Sequence, residues 1–343
     1  MNVDGENKAD SRSGVLAAGN FIIDQVKLID AWPEQDALAT ILGVSRANGG
    51  GPYNLLKDLA RLGAPFPLAA AGRVGEDENG NAIRAELGDL GVDHSRMLGT
   101  PGAPTPFTDV MTVAGSGRRT FFYHPGANAY FGEDDLQFGV NEQARFFYLG
   151  YLLLLDRLDE RAPDGSTGSA RLLERARAAG FRTVVDLVSG GRERFSEVVP
   201  PALPHTDLLF LNEYEASCLL GREVAPESGP MESAAREVLG WGVPGMVIIH
   251  AASGAVAVTT GGESAFQGSV RMPPEEIRGA NGAGDAFAAG VLYGLHEGWD
   301  LERALRTGAC VAAACLRDAT TSGGIPPLAE ALALGERMGF QPF

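Results

Sequence analysis

Lysine is nearly missing from this chain. Lys8, Lys27 and Lys57 are the only three among 343 residues. No Gly-Lys-Ser/Thr segment exists, which excludes a P-loop. Basic side chains are outnumbered: 44 Asp and Glu face 28 Lys and Arg, for a formal net charge of −16. Nucleic acid and anionic membrane surfaces are therefore poor partners. Cysteine is scarce as well. Cys218, Cys310 and Cys315 fit no zinc spacing, and their odd number suggests no disulfide framework. They read as reduced packing residues of a cytoplasmic protein. No run of about 18 apolar residues occurs, so no membrane span is expected. Residues 1–13 are polar, lack the apolar core of a signal peptide, and read as a disordered tail.

What is present is an alternation of short apolar runs and helical periods. Val15 to Ala18 reads as a buried strand ending at Gly19-Asn20. Leu55, Leu56, Leu59 and Leu62 recur at helical spacing, which predicts a helix from Asn54 to Leu62 stopped by Gly63. Leu68 to Ala71 is a second strand and Ala82 to Leu90 a second helix. Strands follow at Phe146–Leu149, Thr183–Leu187, Leu208–Leu211, Met246–Ile249 and Val256–Thr259. Helices are expected at Ala170–Ala179, Ala286–Leu295 and Leu301–Leu316, the last two rich in Ala and Gly and suited to tight packing. Alternation of this kind favours an α/β fold, a doubly wound and mostly parallel sheet with helices on both faces. Between residues 101 and 130 the pattern changes. Phe107–Val113 and Thr120–Tyr123 flank a Gly115–Gly117 turn and read as a β-hairpin, a flap or oligomer contact. The expected organisation is one domain over 14–343, with a small β lid drawn from about 22–48 and 101–130. A dinucleotide site would need Gly-x-Gly-x-x-Gly after the first strand, and Gly19-Asn20 does not supply it.

Gly279-Ala280-Asn281-Gly282-Ala283-Gly284-Asp285-Ala286-Phe287 is the most informative stretch. Its small residues permit close backbone approach to a ligand. The N–H groups of Ala283, Gly284 and Asp285 would be helix-start donors, an anion site reinforced by the helix dipole. In so acidic a chain, such amides and bound metal ions are the means of building a local positive field. The same donors would let Asp285 ionise readily, making it a weak base. An N-capping Asp behind a glycine turn is the plainer reading.

From Gly282 to Phe287 the chain resembles the PfkB (ribokinase-like) carbohydrate kinase family, whose signature is Asp-Thr-x-Gly-Ala-Gly-Asp-Ala-Phe. The resemblance implies an ATP-dependent sugar kinase of ribokinase-like fold, using ATP and Mg2+, with Asp285 as base and Gly282, Ala283 and Gly284 as the anion hole. It departs at Gly279 and Ala280, where the family carries the Asp and Thr that help bind a monovalent cation; that cation site is in doubt. Asn281 is a variant seen in nucleoside-kinase-like members, and the position implies a cofactor-side role.

Further motifs follow in family order. Gly49-Gly50-Gly51-Pro52-Tyr53-Asn54 with Leu59 to Gly63 resembles the N-terminal signature and implies Gly50 and Asn54 at the substrate; a simple helix-start loop is the alternative. Asp24, after the first strand, would accept from sugar hydroxyls, or else be a solvated loop residue. Gly72 to Gly80 reads as a structural turn and helix start. His124 to Ala129 resembles the lid-closing Gly-Ala-Asn segment and puts Asn128 towards substrate. Asn212 and Glu215 match an Asn-x-x-Glu element implying nucleotide and magnesium contacts; the same spacing makes a capping box. Of the family's base-side Thr-Leu-Gly-x-x-Gly only Gly254 survives, and His250 there reads as a packing residue. The acceptor could be a sugar or, through Asn281, a nucleoside. The missing basic side chain at Gly51 disfavours a phosphorylated acceptor, unless Arg118 and Arg119 point inward from the hairpin. A homodimer through the lid is a further implication. A non-catalytic sugar-binding protein on the same fold stays open, given the departures at Gly279, Ala280 and Ala251.

Overall fold

The computed structural model describes residues 12–139 and 142–343. Most of the expected tail, residues 1–11, lies outside them. Arg12 and Ser13, expected in that tail, are instead held on the body. Arg12 Nη2 donates to Ala179 O at 2.6 Å, and Ser13 N–H donates to Gln143 O.

Thirteen strands occur among the described residues: β1 (Val15–Gly19), β2 (Ile22–Ile29), β3 (Ile41–Gly49), β4 (Leu68–Gly75), β5 (Asp93–Thr100), β6 (Phe107–Val113), β7 (Arg119–His124), β8 (Phe146–Leu152), β9 (Arg182–Leu187), β10 (Leu208–Asn212), β11 (Met246–His250), β12 (Gly254–Thr259) and β13 (Ser264–Gly268). Nine form one sheet in the order β13-β12-β11-β10-β9-β8-β1-β4-β5. From β11 to β5 every neighbour is parallel; β12 and β13 run antiparallel at one edge. Successive side chains of a strand point to opposite faces. Val15 and Ala17 thus join one apolar cluster and Leu16 and Ala18 the other; Leu208 and Phe210 divide from Leu209 and Leu211 in the same way. Both faces are covered, so these strands are continuously apolar. One cluster takes Leu55, Leu56 and Leu59 of the helix Gly51–Arg61 and Phe287 and Val291 of the helix Ala283–His296. The other takes Leu172, Leu173 and Ala176 of the helix Gly168–Ala178.

Four of the five expected helices begin earlier than apolar spacing predicts, because their first turns are built from small, proline or capped residues; Leu301–Cys315 begins where expected. Pro52 fits the first turn of Gly51–Arg61, three residues before the predicted start. Asp77 caps Glu78–Asp89 by accepting from Gly80 N–H, as a structural role for the Gly72–Gly80 segment requires. Thr167 caps Gly168–Ala178. Close packing of the two Ala- and Gly-rich helices is explicit: a Cβ on Gly290 would lie 2.8 Å from Gly308 Cα.

The remaining strands form a second sheet, β3-β2-β6-β7. The hairpin β6–β7 is the expected one, and β2 joins it in parallel through β6. Asp24 is accordingly not in a loop after β1; it lies within β2, buried.

Candidate active site

The parallel strands β1, β8, β9, β10 and β11 end on one edge of the large sheet. There they deliver Asn20, Tyr151, Asp186, Asn212 and His250. Ligands of open α/β sheets collect at this edge. Two cavities open there and meet at Ala280, Gly284 and His250. One, about 430 Å3, is lined by Gly254, Val270, Met272, Ile277, Ala283 and Leu316 among others. The second, about 500 Å3, is lined by Asp24, Gly50, Asn54, Thr108, Phe121, Tyr123, Tyr151, Asp186, Asn212, Glu215, Asn281, Gly282 and Asp285. The lid strands β2, β6 and β7 roof this second cavity.

Asp285 stands in the first turn of the helix Ala283–His296. Gly282, at φ 78, makes the turn; a Cβ there would meet Thr321 O at 2.7 Å. The first carbonyl of the helix ladder, Gly282 O, takes Ala286 N–H at 2.9 Å, so the amides of Gly284 and Asp285 precede it. Asp285 is not an N-cap; its carboxylate turns into the protein. Oδ1 accepts from Tyr151 Oη at 2.6 Å and Oδ2 from Asn54 Nδ2 at 2.8 Å. Burial pushes its pKa up to about 6 against these two hydrogen bonds. Desolvation outweighs the donors, and Asp285 is a stronger base than the amide-rich turn alone suggested.

The face that Asn54 shows to Asp285 is imposed from behind. Lys57 Nζ has only protons to give, and donates to Asn48 Oδ1 at 3.0 Å. Asn48 must then present Nδ2, which donates to Asn54 Oδ1 at 2.6 Å. Asn54 is left with Nδ2 towards Asp285. Asn54 lines the cavity, and one N–H of its amide is held by Asp285.

Two more carboxylates face the same cavity. Asp186, at the end of β9, accepts from Tyr148 Oη at 3.0 Å. Glu215 accepts from Ser189 Oγ and from the N–H of Asn212, whose Oδ1 in turn takes Glu215 N–H. The capping box is therefore real, and it leaves Glu215 inside the cavity. Burial raises the pKa of Glu215 to about 7 and that of Asp186 well above its ordinary value, with repulsion from Asp285 adding to both. Among the described residues no Lys or Arg forms an ion pair with Asp186, Glu215 or Asp285. A set of hard oxygen donors without a counter-charge fits a divalent cation that keeps several waters.

The remaining expected residues distribute as follows. Gly50, at φ 89, lines the acceptor-sized cavity, and a Cβ there would collide with Asn20 O. Asp24 has a pKa raised to about 6 by burial and accepts from Asn281 Nδ2 at 3.4 Å. Asn281 thus sits with Asp24 in the second cavity, away from the Gly254 cavity where a cofactor role would put it. Asn128 is fully buried and does not reach the cavity. Its Nδ2 donates to Tyr123 Oη at 3.1 Å, and Tyr123 is the residue that lines it. His250 is half-buried, packs against Phe287 and is held neutral, its pKa lowered to about 4 by desolvation. It forms the wall between the cavities, in keeping with a packing role.

Sequence reasoning missed Tyr151, Asn48 and Asp186. For Asp186 a signal existed: an ionisable residue inside the apolar strand Thr183–Leu187. Tyr151 and Asn48 carry none, because their positions follow from strand register.

The family model of the pfkB family of carbohydrate kinases matches residues 16–327, and the chain belongs to that family. It is an ATP-dependent sugar kinase. Among curated relatives, the ATP-dependent ribose-1-phosphate kinase of Halopiger xanaduensis is 28% identical, over 94% of this chain and 98% of its own. The probable chloroplastic fructokinase-6 of Arabidopsis thaliana is 27% identical, over 92% of this chain and 79% of its own. Among solved structures, the Arabidopsis thaliana ribokinase complexed with ribose and ATP superposes with a TM-score of 0.77 at 23% identity, over 94% and 98% of the two chains. No described helix is long and apolar enough to cross a membrane.

Proposed function

We propose that the chain transfers the γ-phosphate of ATP to a hydroxyl of a small, unphosphorylated ribose- or fructose-like sugar, with Asp285 as the base. The observation that carries this reading is the buried carboxylate of Asp285 in the second cavity, one residue after Gly284, where the two cavities meet. A sugar hydroxyl entering the second cavity, oriented by Asp24, Gly50 and Asn281, would give its proton to Asp285 as its oxygen attacks in line. The amides of Gly284 and Asp285 would cradle the transferred phosphate, while that of Ala283 turns to Ala280 O. The apolar cavity beside Gly254 suits an adenine ring. Asp186 and Glu215 would hold Mg2+, whose charge supplies neutralisation of the phosphates when bound. Phe121 and Tyr123 of the lid would keep water from the reacting oxygen.

The exposed apolar side chains of the lid, Trp32, Ile41, Leu42, Val44 and Phe122, support a homodimer through this sheet. Three buried, unpaired cysteines are consistent with a reducing, cytoplasmic setting.

The test is ATP consumption by wild type and Asp285→Asn across a panel of sugars, sugar phosphates and nucleosides. Turnover of a free sugar that the variant loses by orders of magnitude is expected. Turnover confined to nucleosides would instead move the acceptor class, which Asn281 beside Asp24 would then explain.

A further inference from the structure

Gly279 and Ala280 offer no side-chain oxygen to a monovalent cation, and the space beside Gly279 is taken. A Cβ built on Gly279 would lie 2.6 Å from Arg119 Nη2 and 3.4 Å from Asp318 O. Arg119 opens the lid strand β7, and its guanidinium is set against the segment that leads into the catalytic turn. No hydrogen bond or ion pair engages it among the described residues; its field acts on Asp24 and on Cys315, which packs under the same turn. Arg118 beside it is exposed.

We infer that Arg119 is the built-in cation of the phosphoryl site: a lid guanidinium that stands in the place of a monovalent metal ion beside the 279–282 segment. The inference rests on the kinase reading. Asp24, Asp186, Glu215 and Asp285 all face the cavity that an incoming polyphosphate must approach. A fixed positive charge against Gly279, the neighbour of the lining residue Ala280, offsets that repulsion. A guanidinium is always protonated and cannot wash out, so no potassium or sodium ion is needed. Two cations would not share the space, on grounds of volume and of like charge. Because the charge rides on β7, phosphate affinity is tied to the position of the lid.

The experiment measures equilibrium binding of a non-hydrolysable ATP analogue and of ADP, each with Mg2+, by calorimetry. Potassium, sodium and tetramethylammonium chloride are compared at equal ionic strength. Wild type is expected to bind the analogue equally in all three. Arg119→Ala should lose about tenfold in affinity for the analogue, the scale of one lost charge-assisted contact, and less for ADP. Millimolar guanidinium should restore the loss, while urea, its neutral isostere, should not. Arg119→Gln, which keeps most of the volume, should behave like the alanine variant. The inference is overturned if wild type requires potassium, if both variants bind like wild type, or if urea restores binding as well as guanidinium. Failure of wild type to bind either nucleotide would instead count against the kinase reading.

Discussion

Replacing Asp285 with Asn separates what that side chain does for the reaction from what it does to the fold. Its folded pKa of about 6 lies above the ordinary 3.8 because burial penalises the charged form. Between these values the folded chain holds a proton that the unfolded chain has released. Stability from this group is therefore fully present below pH 3.8 and falls as pH rises through 6. A rise of that size corresponds to a loss of about 3 kcal/mol at neutral pH. Asn escapes that loss and can keep both contacts: its Oδ1 accepts from Asn54, whose orientation Lys57 fixes, and its Nδ2 donates to Tyr151 Oη, which can rotate to accept. Asp285→Asn should thus melt at nearly the wild-type temperature near pH 4 and about 4 °C higher at pH 8, from the usual entropy of unfolding per residue. Turnover should fall by about a hundredfold to ten-thousandfold, the range for loss of a general base. Thermal melts of the metal-free proteins from pH 4 to 8, with initial rates on the best acceptor, test both halves. A variant that melts below wild type at pH 8, or a difference that does not change with pH, would refute the burial argument. A near wild-type rate would refute the base.

Tyr151→Phe removes a hydrogen bond that lowers the Asp285 pKa, so the acid limb of the rate profile should move upward from about pH 6; an unmoved limb would deny that contact. Lys57→Met frees Asn48 and Asn54 to turn over, and should raise the same limb by about one pH unit while Lys57→Arg restores it, read from kcat/KM against pH. Mg2+ should raise the melting temperature more at pH 8 than at pH 5, because Asp24, Glu215 and Asp285, with pKa values of about 6, 7 and 6, become charged in between. His250, lowered to about 4, stays neutral in the folded chain at both pH values and does not enter this shift. Glu215→Gln should weaken Mg2+ binding about tenfold by calorimetry without changing the melt of the metal-free protein at pH 5.

Strands that are buried on both faces are legible because their composition alone is unusual. Val15–Ala18 and Leu208–Leu211 sit within one residue of where apolar runs put them. The Gly282 turn is legible for a local reason: Gly282 must adopt a left-handed φ, and Asp285 follows it in the first helical turn. Strand β3 escapes because its apolar residues Ile41, Leu42 and Val44 are exposed, broken by Gly43 and followed by polar Ser45 and Arg46, so they do not follow the pattern of a buried strand. The partners of Asp285 escape for a different reason. Tyr151 lies 134 residues away and Asn54 231; the first arrives at the end of β8 through parallel register, the second through the packing of the helix Gly51–Arg61 on the helix Ala283–His296. The place of Asn281 in the motif points to the nucleotide, but a turn's residues alternate in direction, and its side chain points to Asp24.

Cys315 offers a readout of a kind different from turnover or melting. Its Sγ, fully buried, lies 3.4 Å from Asn281 O and 3.1 Å from Thr321 O and shares its one proton between them, so it touches both segments that shape the Gly282 turn. Burial holds the thiol well above its ordinary pKa. A disulfide reagent can reach it only when those segments part, so its labelling rate in a Cys218→Ala, Cys310→Ala background is a clock for local opening. Nucleotide that rests on the turn should slow that clock in proportion to occupancy. A native side chain thereby serves as a covalent probe of how often the loop around Gly282 comes apart.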